Sequence, residues 1–184
     1  GRLIIAGTIP IVVVGGLFGD VIEAQVRTPL IVAVNLVIGG IGLIWVERIG
    51  RQDRDAKSLG YGEALAIGVA QAAALAPGLS RSGSTLIVSM FQGLRRDTAA
   101  RFVFLMSLPA VFAVAVKESY ELSKVGMAGV PVTLMLVGLV VSAVVGYVTV
   151  KYFLRYLAGH SLAGFAYYRF ALAAVTFAWL LARQ

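Results

Sequence analysis

The chain has 184 residues, 59% hydrophobic and 14% charged, with a mean hydropathy of +0.90 and a formal net charge of +7. A soluble domain of this length is nearer half apolar and a quarter charged, so the composition excludes an ordinary soluble fold and points to lipid. The lack of Cys excludes disulfides, thiolate metal sites and a Cys nucleophile, and a lone His160 excludes a His-based metal cluster.

Five stretches are long enough to cross a bilayer, which needs about 20 apolar residues: roughly 3–19, 29–46, 101–117, 130–151 and 164–182. The first carries Pro10, tolerable in lipid when neighbouring helices satisfy the freed carbonyl, and Pro29 opens the second. Gly39, Gly40 and Gly42 in the second span, with Gly138 and Gly146 in the fourth, are residues that let transmembrane backbones approach closely, and packing is their expected role. The segment 47–60 reads as a solvated loop of mixed charge with no sign of a site. The expected fold is all-α: one integral membrane domain over 1–184, a polytopic helical bundle.

The segment 61–92 departs from this pattern. Its first piece, 63–76, is helical in pattern but about 21 Å long at 1.5 Å per residue, too short for a hydrocarbon core of about 30 Å. Pro77-Gly78 then breaks it, and a second short apolar piece, 86–93, follows a polar turn. Two half-helices around a Ser/Gly turn describe a re-entrant hairpin. Irregular backbone at that depth survives only when buried in protein or facing a watery cavity, so the pattern implies a polar cavity at the turn.

Charge supports the hairpin. If 61–92 enters and leaves on one face, Arg48, Arg51, Arg54, Lys57, Arg95, Arg96, Lys151 and Arg155 share that face, against Arg27 and Lys124 on the other. The positive-inside rule then makes the richer face cytoplasmic. A full crossing would split the same residues evenly. The distribution also assigns the basic residues to topology and anionic headgroups, which argues against nucleic acid as a partner.

The turn reads Pro77-Gly78-Leu79-Ser80-Arg81-Ser82-Gly83-Ser84-Thr85. An Arg inside the membrane costs about 2.5–3.5 kcal/mol on insertion scales and marks a functional site by default. The nearest carboxylate in local sequence, Glu63, lies at the far end of the half-helix, so Arg81 calls for an anionic partner. Residues 82–85 would open the second half-helix, whose free N–H groups attract anions. Gly78 and Gly83 permit tight turns and close approach to the backbone. Ser80, Ser82, Ser84 and Thr85 offer hydroxyls, and a guanidinium grips two phosphate oxygens at once. The Gly-Lys-Ser/Thr ending of a Walker A loop is missing. Gln71 lies deep on the first half-helix and needs a partner, for which the carbonyls freed at Pro77-Gly78 are candidates. Asn35 reads as a helix-bridging residue, and His160, Tyr167, Tyr168, Trp45 and Trp179 as interfacial residues. Arg169 lies beside the tyrosine pair.

This signature resembles that of the undecaprenyl-diphosphate phosphatase (bacitracin-resistance) family. Gly68–Gln71 (GVAQ), the stretch ARFVFLMSLPA from Ala100 and FAYYR from Phe165 are similar to the family's flanking helices, and the last match leaves open a cavity-facing Arg169. The resemblance implies a bacterial inner-membrane enzyme that removes the terminal phosphate of undecaprenyl diphosphate, recycling the lipid carrier of cell-wall precursors. It further implies an inverted-repeat architecture of which this chain carries one half with flanking spans. On this reading Arg81, Ser80 and Ser82 are catalytic, and Gly78, Gly83, Ser84, Thr85 and Gln71 bind substrate. A divalent cation, Mg²⁺ or Ca²⁺, is expected with the phosphates, and the partners are a polyprenyl diphosphate, the bilayer and, as an option, a second copy of the chain. The family's Glu-rich first hairpin, with its Pro-x-Ser-Ser-x-x-His turn, is not found in this sequence, so the chain reads as an N-terminally truncated enzyme, inactive alone. From the hairpin alone, the alternative is a transporter of an anionic solute built on a broken helix. The extended family match is what favours the phosphatase.

Overall fold

A computed structural model describes residues 1–125 and 131–183, except for the side chains at 20, 23, 25 and 125. The described residues form α1 (Arg2–Gln25), α2 (Pro29–Ile49), α3 (Tyr61–Ala73), α4 (Arg81–Phe91), α5 (Arg96–Val125), α6 (Val132–Leu157) and α7 (Ala163–Leu181). The fold is all-α, and α1, α2, α5, α6 and α7 are long and apolar enough to cross a membrane. This is a multi-pass membrane protein. The observed helices run beyond most of the expected spans, because polar turns at either end of an apolar block remain helical. The expected start of the fourth span, residue 130, lies outside the described residues.

α3 and α4 form the hairpin, α3 being about 20 Å long. The two pack against each other, α3 along α1 and α4 between α2 and α5. A Cβ at Gly68 of α3 would strike the Gly7 backbone of α1, so close helix contact there requires glycine. The buried core gathers where the helices crowd: Leu43 and Val46 of α2, Ile67 of α3, Leu86 and Met90 of α4, and Phe102 and Met106 of α5.

The loop after α2 does more than solvate. Arg54 grips Glu63 of α3 with both terminal nitrogens, at 2.6 and 3.2 Å, and donates to the Gln92 carbonyl beyond α4 at 2.8 Å. Its backbone N–H donates to Gly93 and its carbonyl accepts from Arg95. Gln92 donates to the Glu63 carbonyl at 3.2 Å. The open end of the hairpin is thereby closed by one guanidinium. Nearby, Glu47 receives Arg96 through both carboxylate oxygens at 2.6 Å and accepts the Leu162 N–H, joining α2, α5 and the start of α7.

The glycines divide. A Cβ at Gly39 would collide with the Arg169 guanidinium, and one at Gly40 or Gly42 with Phe170 or Ile87. At Gly138 and Gly146 nothing lies within 4 Å, and no residue of the α6 span but Leu157 is buried. Among the described residues α6 packs along α5 and meets Phe165 of α7 only near its C-terminal end, so the packing expected at these two glycines is not there.

Candidate phosphate-binding site

The turn between the half-helices owes its shape to two unusual backbone positions. Gly78 sits at φ +91°, and a Cβ there would also meet the Val32 carbonyl of α2, so no other residue fits without strain. Ser80 follows at φ 67° and ψ 113°, a region that costs a non-glycine residue of order 1–3 kcal/mol. The surroundings hold it there. Ser80 caps α4 twice, its Oγ accepting the Gly83 N–H at 3.2 Å and its carbonyl the Ser84 N–H at 2.9 Å. A side chain at Gly83 would press on that Ser80 cap, at 3.2 Å from its Oγ.

The carbonyls freed by Pro77-Gly78 must find donors at membrane depth. Asn35 of α2 donates to Pro77 at 2.8 Å. Arg169 of α7 donates to Gly78 at 2.7 Å and Leu79 at 3.2 Å, and also to Asn35 and Leu36 of α2 at 3.0 and 3.2 Å. Arg169 is buried, with no carboxylate among these partners. It locks the turn between α2 and α7. Gln71 does not supply these donors, contrary to the sequence expectation; Arg169 does, as a buried support of the turn.

The second half-helix opens at Arg81, one residue earlier than the expected 82–85. The N–H groups of Arg81 and Ser82 precede the first intrahelical acceptors, and neither has a partner among the described residues. The Arg81 guanidinium is exposed and likewise unpaired. Thr85 is buried, its hydroxyl donating back to the Arg81 carbonyl at 2.7 Å. A cavity of about 210 Å³ opens here, lined by Gln71, Arg81, Ser82, Thr85, Val103, Phe104, Ser107 and Val111. Gln71 is 1% exposed, and its Nε2 has no hydrogen-bond partner among the described residues.

Of the residues singled out by sequence, Arg81, Ser82, Thr85 and Gln71 thus line one cavity. Gly78, Ser80, Gly83 and Ser84 form the turn and cap behind it, the Ser84 hydroxyl making only a long 3.4 Å contact with the Leu79 carbonyl. Ser107 lines the cavity and was not foreseen; a lone Ser in an apolar span carries no signal by itself. His160 stacks on Tyr156 at 4.3 Å in the exposed α6–α7 turn, away from the site. Among the described residues no carboxylate lines the cavity. Its donors are a guanidinium, free amides at a helix N-terminus and hydroxyls, which is a set for an oxyanion.

The chain matches the family described as bacitracin resistance protein BacA over residues 1–175. Proteins named undecaprenyl-diphosphatase are similar to it along most of its length. That of Rubrobacter xylanophilus is 44% identical over 97% of this chain, and that of Thermodesulfovibrio yellowstonii 39% over 95%. That of Paenarthrobacter aurescens is 40% identical over 94%. The matched regions cover 66%, 66% and 63% of those relatives, so the chain spans slightly less than two thirds of their length.

Proposed function

Because the chain belongs to the bacitracin resistance protein BacA family, we propose that its cavity holds the diphosphate of undecaprenyl diphosphate during hydrolysis to undecaprenyl phosphate and phosphate. The observation that carries this reading is Arg81 at the N-terminus of α4, beside free amides and, among the described residues, with no carboxylate partner and none in the cavity lining. In phosphoryl transfer, charge spreads over the non-bridging oxygens, and fixed donors aimed at them lower the barrier. Arg81 would take two such oxygens in its fork, and the Arg81 and Ser82 N–H groups a third. Ser82 would orient its hydroxyl toward the same phosphate. Ser80 acts behind them by holding the cap. A bacterial inner membrane is the setting that fits this substrate.

Among the described residues the lining has neither carboxylate nor imidazole, so these residues supply charge stabilisation and no general base. Nor do its residues fit a directly held divalent cation: among the described residues no three His, Cys, Asp or Glu side chains come together. The expected Mg²⁺ or Ca²⁺ would rest on the phosphate oxygens of the lipid. Nothing favours the anion-carrier alternative.

The test is phosphate release from undecaprenyl diphosphate in lipid nanodiscs. The chain extended by the acidic N-terminal hairpin that the resemblance implies should turn over, and the chain alone should not. Arg81→Ala should lower turnover about 100-fold or more, the scale for losing one oxyanion donor. An extended chain that releases no phosphate, or one indifferent to Arg81→Ala, overturns the proposal.

A further inference from the structure

A second concavity lies at the α6–α7 turn, lined by Thr149, Tyr152, Phe153, Arg155, Tyr156, His160 and Phe165, with a volume of about 640 Å³. No residue lines both this groove and the hairpin cavity. The volume lies within the roughly 300–1,000 Å³ of small-molecule sites. Its back wall is a set of edge-on rings, with Phe165 at 5.2 Å from Phe153 and 5.9 Å from Tyr156. Its rim is cationic. Arg155 is exposed and without a partner among the described residues, and Lys151 stands over the Tyr147 ring at 5.7 Å.

Among the described residues the charge there has no internal answer. Residues 131–183 contain no Asp or Glu. The carboxylate that reaches this turn from α2, Glu47, is taken by Arg96 and the Leu162 N–H. Meanwhile the apolar length of α6 lies bare, with no buried residue in its span before Leu157. A ligand for this place needs an anionic head at Arg155, tolerance of tyrosine hydroxyls at the headgroup level, and apolar chains along a helix.

We propose that the groove is a binding site for one anionic phospholipid, its phosphate on Arg155 and its acyl chains along α6. Arg155 supplies a planar fork for two phosphate oxygens. Phe153 and Phe165 pack the glycerol end, and Tyr152 and Tyr156 frame the headgroup. A zwitterionic lipid would add a cation beside Lys151 and Arg155, which selects against it. The site stands independently of the hairpin's function.

Native mass spectrometry of the chain released from nanodiscs containing equal phosphatidylglycerol and phosphatidylcholine reads this directly. The wild-type chain should retain phosphatidylglycerol in preference. Arg155→Ala should lower that preference about fivefold, the scale of one basic residue at an anionic surface. Arg48→Ala removes another exposed cation, from the last turn of α2, and should change nothing. Arg155→Lys, which keeps charge and fold, should give an intermediate preference and decides the matter if Arg155→Ala unfolds. Equal retention of the two lipids, equal losses in Arg155→Ala and Arg48→Ala, or release of the lipid by millimolar inorganic phosphate would each overturn the proposal.

Discussion

The turn at 77–80 and the first turn of α4 are neighbours in the chain and opposites in hydrogen bonding. In the first, three consecutive carbonyls, of Pro77, Gly78 and Leu79, accept from Asn35 and Arg169. In the second, two amides and a guanidinium stand open to a cavity. Each contains or contacts one arginine. Arg169 is spent on the protein's own carbonyls, and Arg81 is held in reserve. At membrane depth a polar group left unsatisfied is costly, so the pattern separates scaffold from site: what is saturated holds the turn, and what is open awaits a ligand.

The strongest way to break this comparison is to exchange the fates of the two arginines. Arg169→Ala strips donors from Gly78 and Leu79 and leaves space over Gly39, so it should destabilise the folded protein by about 2–4 kcal/mol. Arg81→Ala removes a side chain with no partner among the described residues and should stay within about 0.5 kcal/mol of the parent. Equilibrium unfolding in mixed detergent measures both. Equal losses would mean that Arg81 is also structural.

Gln71 sharpens the same contrast on a smaller scale. Its buried amide lacks a partner, and such an orphan costs on the order of 1–3 kcal/mol. Gln71→Leu should therefore raise stability by about 1 kcal/mol while weakening phosphate binding, measured by calorimetry on the same protein. A stability loss instead would place Gln71 with the saturated scaffold.

Much of this is legible in the sequence. The short 63–76 stretch, the Pro-Gly break and an Arg without a nearby carboxylate give the hairpin and its cavity by length and cost alone. What sequence could not supply was partnership across distance. Arg169 reaches Gly78 from 91 residues away; the two tyrosines before it mark an interface, and only the family resemblance leaves open a place for Arg169 at the cavity. Arg54 was hidden differently: a run of mixed charge looks solvated until both ends of the hairpin fold back to one member of it. Gly138 and Gly146 failed in the other direction. Their spacing says that a backbone could approach, and only a structure says whether one does.

The smallest effect belongs to the hairpin's open end, where the Arg54–Glu63 pair sits about a third exposed, outside the five spanning helices. The Arg54 guanidinium holds the Glu63 carboxyl below its ordinary value, and the Gly60 N–H, donating at 2.8 Å, adds to this. A carboxyl depressed in the folded state stabilises fully above its unfolded pKa, ordinarily about 4.3. That contribution fades as the pH falls through the lower folded value, as the proton taken up must first break the pair. The unfolding temperature of the wild type should therefore fall on acidification from about pH 5 toward pH 3, and Glu63→Gln should flatten that acid limb. At neutral pH the variant should differ only slightly, since solvent screens a pair this exposed. An unchanged acid limb in Glu63→Gln would show that Arg54 closes the hairpin through the Gln92 carbonyl and the Gly93 and Arg95 backbone bonds without help from the charge.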